Sequence, residues 1–358
     1  MHPAAPRRWP AFTLGLVTLA ALLAGCVSVD PQRVPADRLE YGQVLAESWK
    51  RQTLLNVVRI RYGDAPIFLE VGSIINSYSV SGKASAGAEL PASNPDVFTF
   101  GTEGIWSNTP TVTYQPLAGE RFTRSLLQPV APSAILQLLQ SGWSAKLVLR
   151  IIVTSINGIR NTSAGAEADP RFSELVDTLD KLQDAGALEL RVRPRKDGSA
   201  VIMVLSGNGA GGTALAAEDR ERLVSLLGIR PDATELEVVY GRSARNREEI
   251  AIMTRSMLEL MLELGFFIDL PPEHAADGRT LPGRGQPGAV SNHSVLRIHS
   301  GAAAPADAYA SVRYKDHWFW IDDRDIVSKS TFTFLLILFS LAETGQPATA
   351  PIVTVPSR

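Results

Sequence analysis

The chain has 358 residues, with 35 Lys or Arg against 37 Asp or Glu and a formal net charge of −2. That balance leaves no basic excess for a polyanion, so nucleic acid is not an expected partner. Hydrophobic residues at 45% and charged residues at 20% are ordinary globular composition, which excludes bulk disorder and a polytopic membrane protein. The single cysteine, Cys26, excludes an internal disulfide and a Cys-based zinc site.

Residues 1–25 carry Arg7 and Arg8, an apolar run from Phe12 to Ala24 and a small residue at the end, the order of a secretory signal. The run is short for a bilayer span. It ends Leu23-Ala24-Gly25-Cys26, which resembles the lipobox of bacterial lipoproteins. The resemblance implies cleavage before Cys26, a diacylated thiol and an acylated new amine, with palmitate-class chains. At about 0.8 kcal/mol per buried methylene, three chains hold a water-soluble body firmly to a membrane. Val27, rather than Asp, follows the cysteine, which by resemblance to proteobacterial sorting implies the outer membrane, with the body facing the periplasm. Residues 26–36, with Pro31 and Pro35, read as a short tether.

The body starts with a helix predicted over Asp37 to Tyr62, where Tyr41, Val44, Leu45, Leu55, Val58 and Tyr62 recur near helical spacing. Residues 67–80 read as strand. Ser81 to Glu89 reads as a hairpin tip or mobile loop, followed by strands at Phe98–Trp106 and Thr109–Tyr114. Ser133 opens a helix to Gln140, and the apolar run Leu147 to Ile156 is expected as a buried strand because of its Val and Ile content. Asn157-Gly158 signals a turn, and residues 164–169 a boundary. Asp169 and Pro170 then start a helix lined by Leu175, Val176, Leu179 and Leu182 and ended by Gly186. Leu188–Val192 and Val201–Leu205 flank a hairpin, Leu215–Leu227 is helical, and Leu236–Tyr240 is a strand. After Asn246 the strongest amphipathic helix is expected, its stripe made by Ile250, Met253, Met257, Leu260, Met261 and Leu264. Residues 271–287 read as a surface loop. Strands follow at Val295–His299, Tyr309–Tyr314 and His317–Ile321, then a buried helix at Thr331–Ala342 and an edge strand at Ile352–Val355.

Gly207-Asn208-Gly209-Ala210-Gly211-Gly212 matches G-x-G-x-x-G. It follows a hairpin strand, and acidic Glu218 and Asp219 open the next helix, so it reads as a loop and no cofactor is expected. His274, His293, His299 and His317 form no paired metal motif, and no metal is expected. Asp322-Asp323-Arg324-Asp325 lacks calcium-loop spacing and reads as a turn whose carboxylates suit the dipole of the last helix. Trp318 and Trp320 share one face of their strand and Phe319 takes the other. Core on both faces is the favoured reading, with Trp318, Trp320, Asp322, Asp323 and Asp325 as the candidate ligand or partner contacts.

Three stretches belong together: Leu54-Leu55-Asn56-Val57-Val58-Arg59-Ile60-Arg61-Tyr62, then Pro110-Thr111-Val112-Thr113-Tyr114-Gln115-Pro116-Leu117 with Gly119-Glu120-Arg121-Phe122, and Trp320-Ile321-Asp322-Asp323-Arg324-Asp325. As a set they resemble a family of uncharacterised bacterial envelope lipoproteins. The resemblance implies lipidation and one architecture through most of the mature chain, and it brings no activity.

The expectation is an α+β body of mixed or antiparallel sheets packed with amphipathic helices, in two subdomains, 37–165 and 166–358. Its expected role is binding or scaffolding in an envelope assembly, without catalysis, and its expected contacts are the membrane through Cys26 and envelope proteins or polysaccharide. The long loops near residues 81–95 and 271–293 are candidate contact surfaces. Two alternatives are a periplasmic hydrolase of peptidoglycan or polysaccharide using the Asp322 cluster, and a small-molecule binder.

Overall fold

The computed structural model describes residues 33–89, 97–161, 168–195, 198–205, 214–280 and 295–342. Cys26, the glycine-rich run at 207–212, His293 and the segment 352–355 lie outside them. The chain forms two compact units, Met1–Ala46 with Val71–Gln115, and Glu47–Glu70 with Pro116–Arg358. Helix α1 (Arg33–Arg61) and strand β1 (Leu69–Glu89) each contribute to both.

In the first unit, β1 and β2 (Val97–Pro116) make a two-stranded sheet. The expected tip at 81–89 is instead strand, and the two short strands expected after it are one. Serine and alanine at 81–88 suit a loop by composition, but ladder pairing with a partner strand overrides weak local preference.

In the second unit, a short α2 (Gly119–Phe122) runs into a π-helical turn, Thr123–Leu127, and is followed by α3 (Pro132–Gln140) and α4 (Ala145–Ile152). Next come β3 (Val153–Ile156), β4 (Ile159–Arg160), α5 (Pro170–Asp184), β5 (Leu188–Arg195), β6 (Gly198–Leu205), α6 (Ala214–Leu227), β7 (Glu235–Tyr240) and β8 (Glu249–Thr254). One six-stranded sheet has the order β4-β3-β8-β7-β6-β5, antiparallel except for the parallel pair β7–β8. Its strands β3 and β4 come from before residue 165 and the other four from after it. Leu190, Met203, Val238 and Ile252 on one face meet Ile135, Leu149, Leu179 and Leu227 of α3, α4, α5 and α6 around a 30 Å³ apolar cavity. On the other face Arg191, Ile202, Glu237 and Glu249 stand in one cross-strand row, and Arg193 pairs with Glu235 at 2.6 Å. Alternation of apolar and charged residues thus decides which face the helices cover.

The helix α4 corrects the expectation of a strand from 147 onward. Val148, Ile151 and Ile152 favour strand locally, but both helix ends are satisfied by side chains from elsewhere. At the N-terminus Asp180 Oδ1 accepts from Lys146 N at 3.0 Å and Gln183 Oε1 accepts from Ala145 N at 2.8 Å. At the C-terminus Arg255 Nη1 donates to the carbonyls of Arg150, Ile151 and Val153, and Asn161 Nδ2 donates to those of Arg150 and Val153. These groups replace the caps that its own flanks lack. Only the last four residues of the run form strand, and Asn157 and Gly158, with φ of 46° and 81°, then turn the chain back into β4.

A second correction concerns residues 249–254, expected as the start of the strongest helix. They form β8, buried beside β7, and the helix is α7 (Met257–Gly265). Ser256 starts it with a capping box, its hydroxyl accepting from Glu259 N while Glu259 Oε2 accepts from Ser256 N. Asn246 serves a turn instead, accepting from Glu248 N at 2.8 Å.

The chain continues through α8 (Pro272–Ala276), β9 (His299–Gly301), β10 (Ala310–Tyr314), β11 (His317–Ile321) and α9 (Ile326–Ala342). The region expected as surface loop from 271 therefore contains a short helix with a buried His274. The strand expected at 295–299 begins only at His299. The three strands form an antiparallel sheet of order β10-β11-β9. As its composition predicted, α9 is a buried helix: Phe332, Phe334, Leu335, Leu338 and Phe339 are all in the core, and Phe339, Phe334 and Phe332 meet the rings of Phe68, Trp143 and Tyr309. Among the described residues no helix is long and apolar enough to cross a membrane. The described chain is thus an α+β fold of nine helices and three sheets, without a closed barrel.

Candidate functional site

Register sorts the small sheet into two faces. Ala310 pairs with Ile321, Val312 with Phe319 and Tyr314 with His317, and this set faces the core, with Phe319 and Ile321 fully buried. On the opposite face Trp320 stands between Ser311 and His299, and Trp318 between Arg313 and Gly301. Both tryptophans are half-buried. Trp320 stacks on the His299 ring at 5.5 Å and 23°. The structure therefore places Phe319 in the core and sets the tryptophans on a partly open aromatic surface, with Arg313 beside them.

The acidic turn after β11 is committed to local bonds. Asp322 Oδ1 accepts from Arg324 N at 2.8 Å, Asp323 pairs with Lys329 at 2.5 Å and Arg324 with Asp307 at 2.6 Å. Asp325 caps α9, accepting from Ser328 N at 3.1 Å and from Ser328 Oγ at 2.6 Å. Burial alone would raise the Asp325 carboxyl, but the hydrogen bonds from Ser328 and Val327 and the charge of His299 bring it below its ordinary value.

The inner face of the same sheet ends in a polar cluster drawn from three distant segments. Tyr62, at the end of α1, lies 2.7 Å from His274 Nδ1, and both residues are buried. The His274 ring meets that of His317 edge-on at 4.7 Å, and His317 Nε2 lies 2.9 Å from Glu273 Oε1. Tyr314 donates to Asp64, which also pairs with Lys315 at 3.1 Å. The Lys315 ammonium sits 5.1 Å from the Tyr62 ring centre, a cation–π contact.

Burial pushes the Tyr62 hydroxyl up to about 12. Burial, reinforced by the bond to Asp64, does the same for Tyr314. The hydroxyl of Tyr314, then Lys315, hold Asp64 below the usual carboxylate range. Glu273 is also lowered, by its own backbone N–H foremost. His274 falls below its ordinary value because burial disfavours the cation, and His317 and Arg279 add repulsion. Tyr62 and His274 thus share one hydrogen bond, whose direction follows the histidine tautomer. Chemically this is a proton-sharing clasp with its reactive atoms closed off, and it joins the end of α1 to α8 and the small sheet. The histidines are plain in the sequence, but no local pattern signals that His274 and His317 meet Tyr62. Among the described residues no group of three or more His, Cys, Asp and Glu side chains is arranged to hold a metal ion.

The clasp has a pH signature. The folded His274 pKa lies below the unfolded value of about 6.5, so its contribution is complete above that pH and is lost as the unfolded chain takes up the proton below it. Urea unfolding should give lower stability at pH 5.5 than at pH 7.5, with a smaller difference in His274→Gln. An equal difference in both proteins would contradict the assignment.

No family model, curated protein or solved structure matches the chain.

Proposed function

We propose that this protein is a lipid-anchored binding or scaffolding element of a bacterial envelope assembly, held to the outer membrane through Cys26 with its body in the periplasm. The lipobox-like Leu23-Ala24-Gly25-Cys26 supports the anchor. The observation that carries the assembly role is the β1–β2 hairpin, two strands of 21 and 20 residues that lie almost wholly in the first unit. It pairs with no third strand among the described residues. Edges of that length are templates for strand addition by another chain. The carboxylates of the acidic turn hold a helix cap and ion pairs, which favours a structural role for them over hydrolysis. The half-buried Trp318 and Trp320 favour a second reading, contact with an envelope polysaccharide.

Cys26→Ala should move a folded protein from the membrane fraction to the soluble fraction. If the variant stays with the membrane, the anchoring model is wrong. Affinity capture from solubilised envelopes distinguishes the two roles. A reproducible protein partner supports assembly, and retained glycan without protein supports the second reading.

A further inference from the structure

We propose that the partner of the hairpin is a second copy of this chain, and that copies join head to tail, β1 of one against β2 of the next, until the strands close into a β-barrel. This rests on the assembly reading above and names its partner.

The argument starts from strand length. Strands in globular proteins usually run 3–10 residues, and an isolated two-stranded hairpin is at best marginally stable in water. Here β1 has 21 residues and β2 has 20, a ladder about 66 Å long at 3.3 Å per residue. Residues on an antiparallel strand point their N–H and C=O alternately to either side, so each outer edge carries about ten residues with both groups unpaired by the hairpin. Soluble proteins blunt such edges with charges, prolines or short strands. Between residues 71 and 115 only Lys83, Glu89, Asp96 and Glu103 are charged. β1 has no proline, and in β2 the stretch Val97–Thr109 runs thirteen residues before Pro110.

Matching lengths identify the occupant. A foreign strand would fill one edge and leave the other open. A copy of the same chain brings both complementary edges, and a heterologous contact that closes on itself satisfies them all. An edge about 66 Å long and roughly 10 Å thick gives on the order of 660 Å² per partner, close to the ~800 Å² of a standard stable interface. Leu39, Val44 and Leu45 on the α1 portion of the same unit are exposed, adding apolar surface for a neighbour to cover.

Each strand's sequence also alternates. In β2, Phe98, Phe100, Trp106, Val112 and Tyr114 hold even positions and Thr99, Glu103, Ser107, Thr109, Thr111 and Thr113 odd ones, with Val97, Thr102, Ile105 and Asn108 as exceptions. In β1 the alternation holds from Ser77 onward, with Ser77, Ser79, Ser81, Lys83 and Ser85 against Tyr78, Val80, Ala84 and Ala86, while Leu69, Val71 and Ile75 share the serines' parity and break it nearer the start. A period of two along a strand is the pattern of barrel walls, with different surroundings on the two sides. Copies anchored in one membrane plane also meet at a raised effective concentration.

The test uses the full lipidated chain extracted in mild detergent, together with single-cysteine variants scanned through Ser77, Ser79 and Ser81 in β1 and Ser107, Thr109 and Thr111 in β2. The unsubstituted protein should sediment at several times its protomer mass. Mixing a β1 variant such as Ser79→Cys with a β2 variant such as Ser107→Cys should give disulfide-linked dimers in at least one combination, and neither population should give them alone. Links between two β1 cysteines, or a membrane-anchored monomer, would overturn the ring while leaving the assembly reading in place. A chain released from the membrane with an unmodified Cys26 would instead remove the reading on which the ring rests.

Discussion

Arg255→Met should cost about 3 kcal/mol in urea unfolding, among the larger single-residue effects in the second unit. Arg255 is 2% exposed, and its guanidinium donates to three carbonyls at the end of α4, where the helix dipole concentrates negative charge. Methionine keeps much of the apolar stem but offers no donor, so buried carbonyls lose a charged partner worth roughly 1.5–3 kcal/mol and pay a desolvation penalty. Arg255→Lys should fall between the two, because one ammonium cannot span the carbonyls as the planar fork does. A loss below 1 kcal/mol for Arg255→Met would show that Asn161, which bonds two of the same carbonyls, suffices alone.

The second large effect is expected at Phe319. Its ring is fully buried, opposite Val312 in the small sheet and edge-on to Tyr62 at 6.1 Å. Phe319→Ala removes the ring and leaves a cavity between β11 and α1, at a cost of about 3–5 kcal/mol. Its neighbour Trp318 lies half-buried on the other face, so Trp318→Ala should cost clearly less despite deleting more atoms. Equilibrium unfolding of the two variants checks the face assignment. Equal losses would contradict it, and a stable Trp318→Ala protein would then report any binding defect without a folding artefact.

Strand alternation set these neighbours on opposite faces, but the favoured reading put both faces in the core, and the half-buried tryptophans correct it; other elements carried clearer local signals. Asp169, Pro170 and Gly186 bracket α5 as expected: the Asp169 side chain accepts from Arg171 N at 3.0 Å, and Gly186 takes a φ of 64°. The hairpin β5–β6 was equally legible. What could not be read depended on distant partners. Nothing near residue 145 says that Asp180, Gln183, Arg255 and Asn161 cap a helix there, so branched side chains argued for strand. Ile250 and Met253 fit a helical stripe because three-residue spacing recurs in short apolar runs, and only pairing with β7 makes that stretch a strand. The Ser256–Glu259 capping box was present in the sequence and marks the true helix start. For the site, the turn role of Asp322, Asp323 and Asp325 followed from their place before α9. The Tyr62–His274 contact joins residues 212 positions apart and had no local trace.

The antiparallel pair β3–β8 constrains the order in which the body forms during synthesis. β3 joins the large sheet only through β8, and Thr154 donates to Met253 O across 99 residues of chain. Until residue 254 has been made, Val153–Ile156 lacks its neighbouring strand, and the Arg255 clamp on α4 is missing as well. Such sequence-distant closure slows folding. The stretch from Val153 to Arg255 therefore closes only once all of the roughly hundred residues between β3 and β8 are available, so a chain cut short anywhere inside it leaves β3 and the end of α4 without their partners.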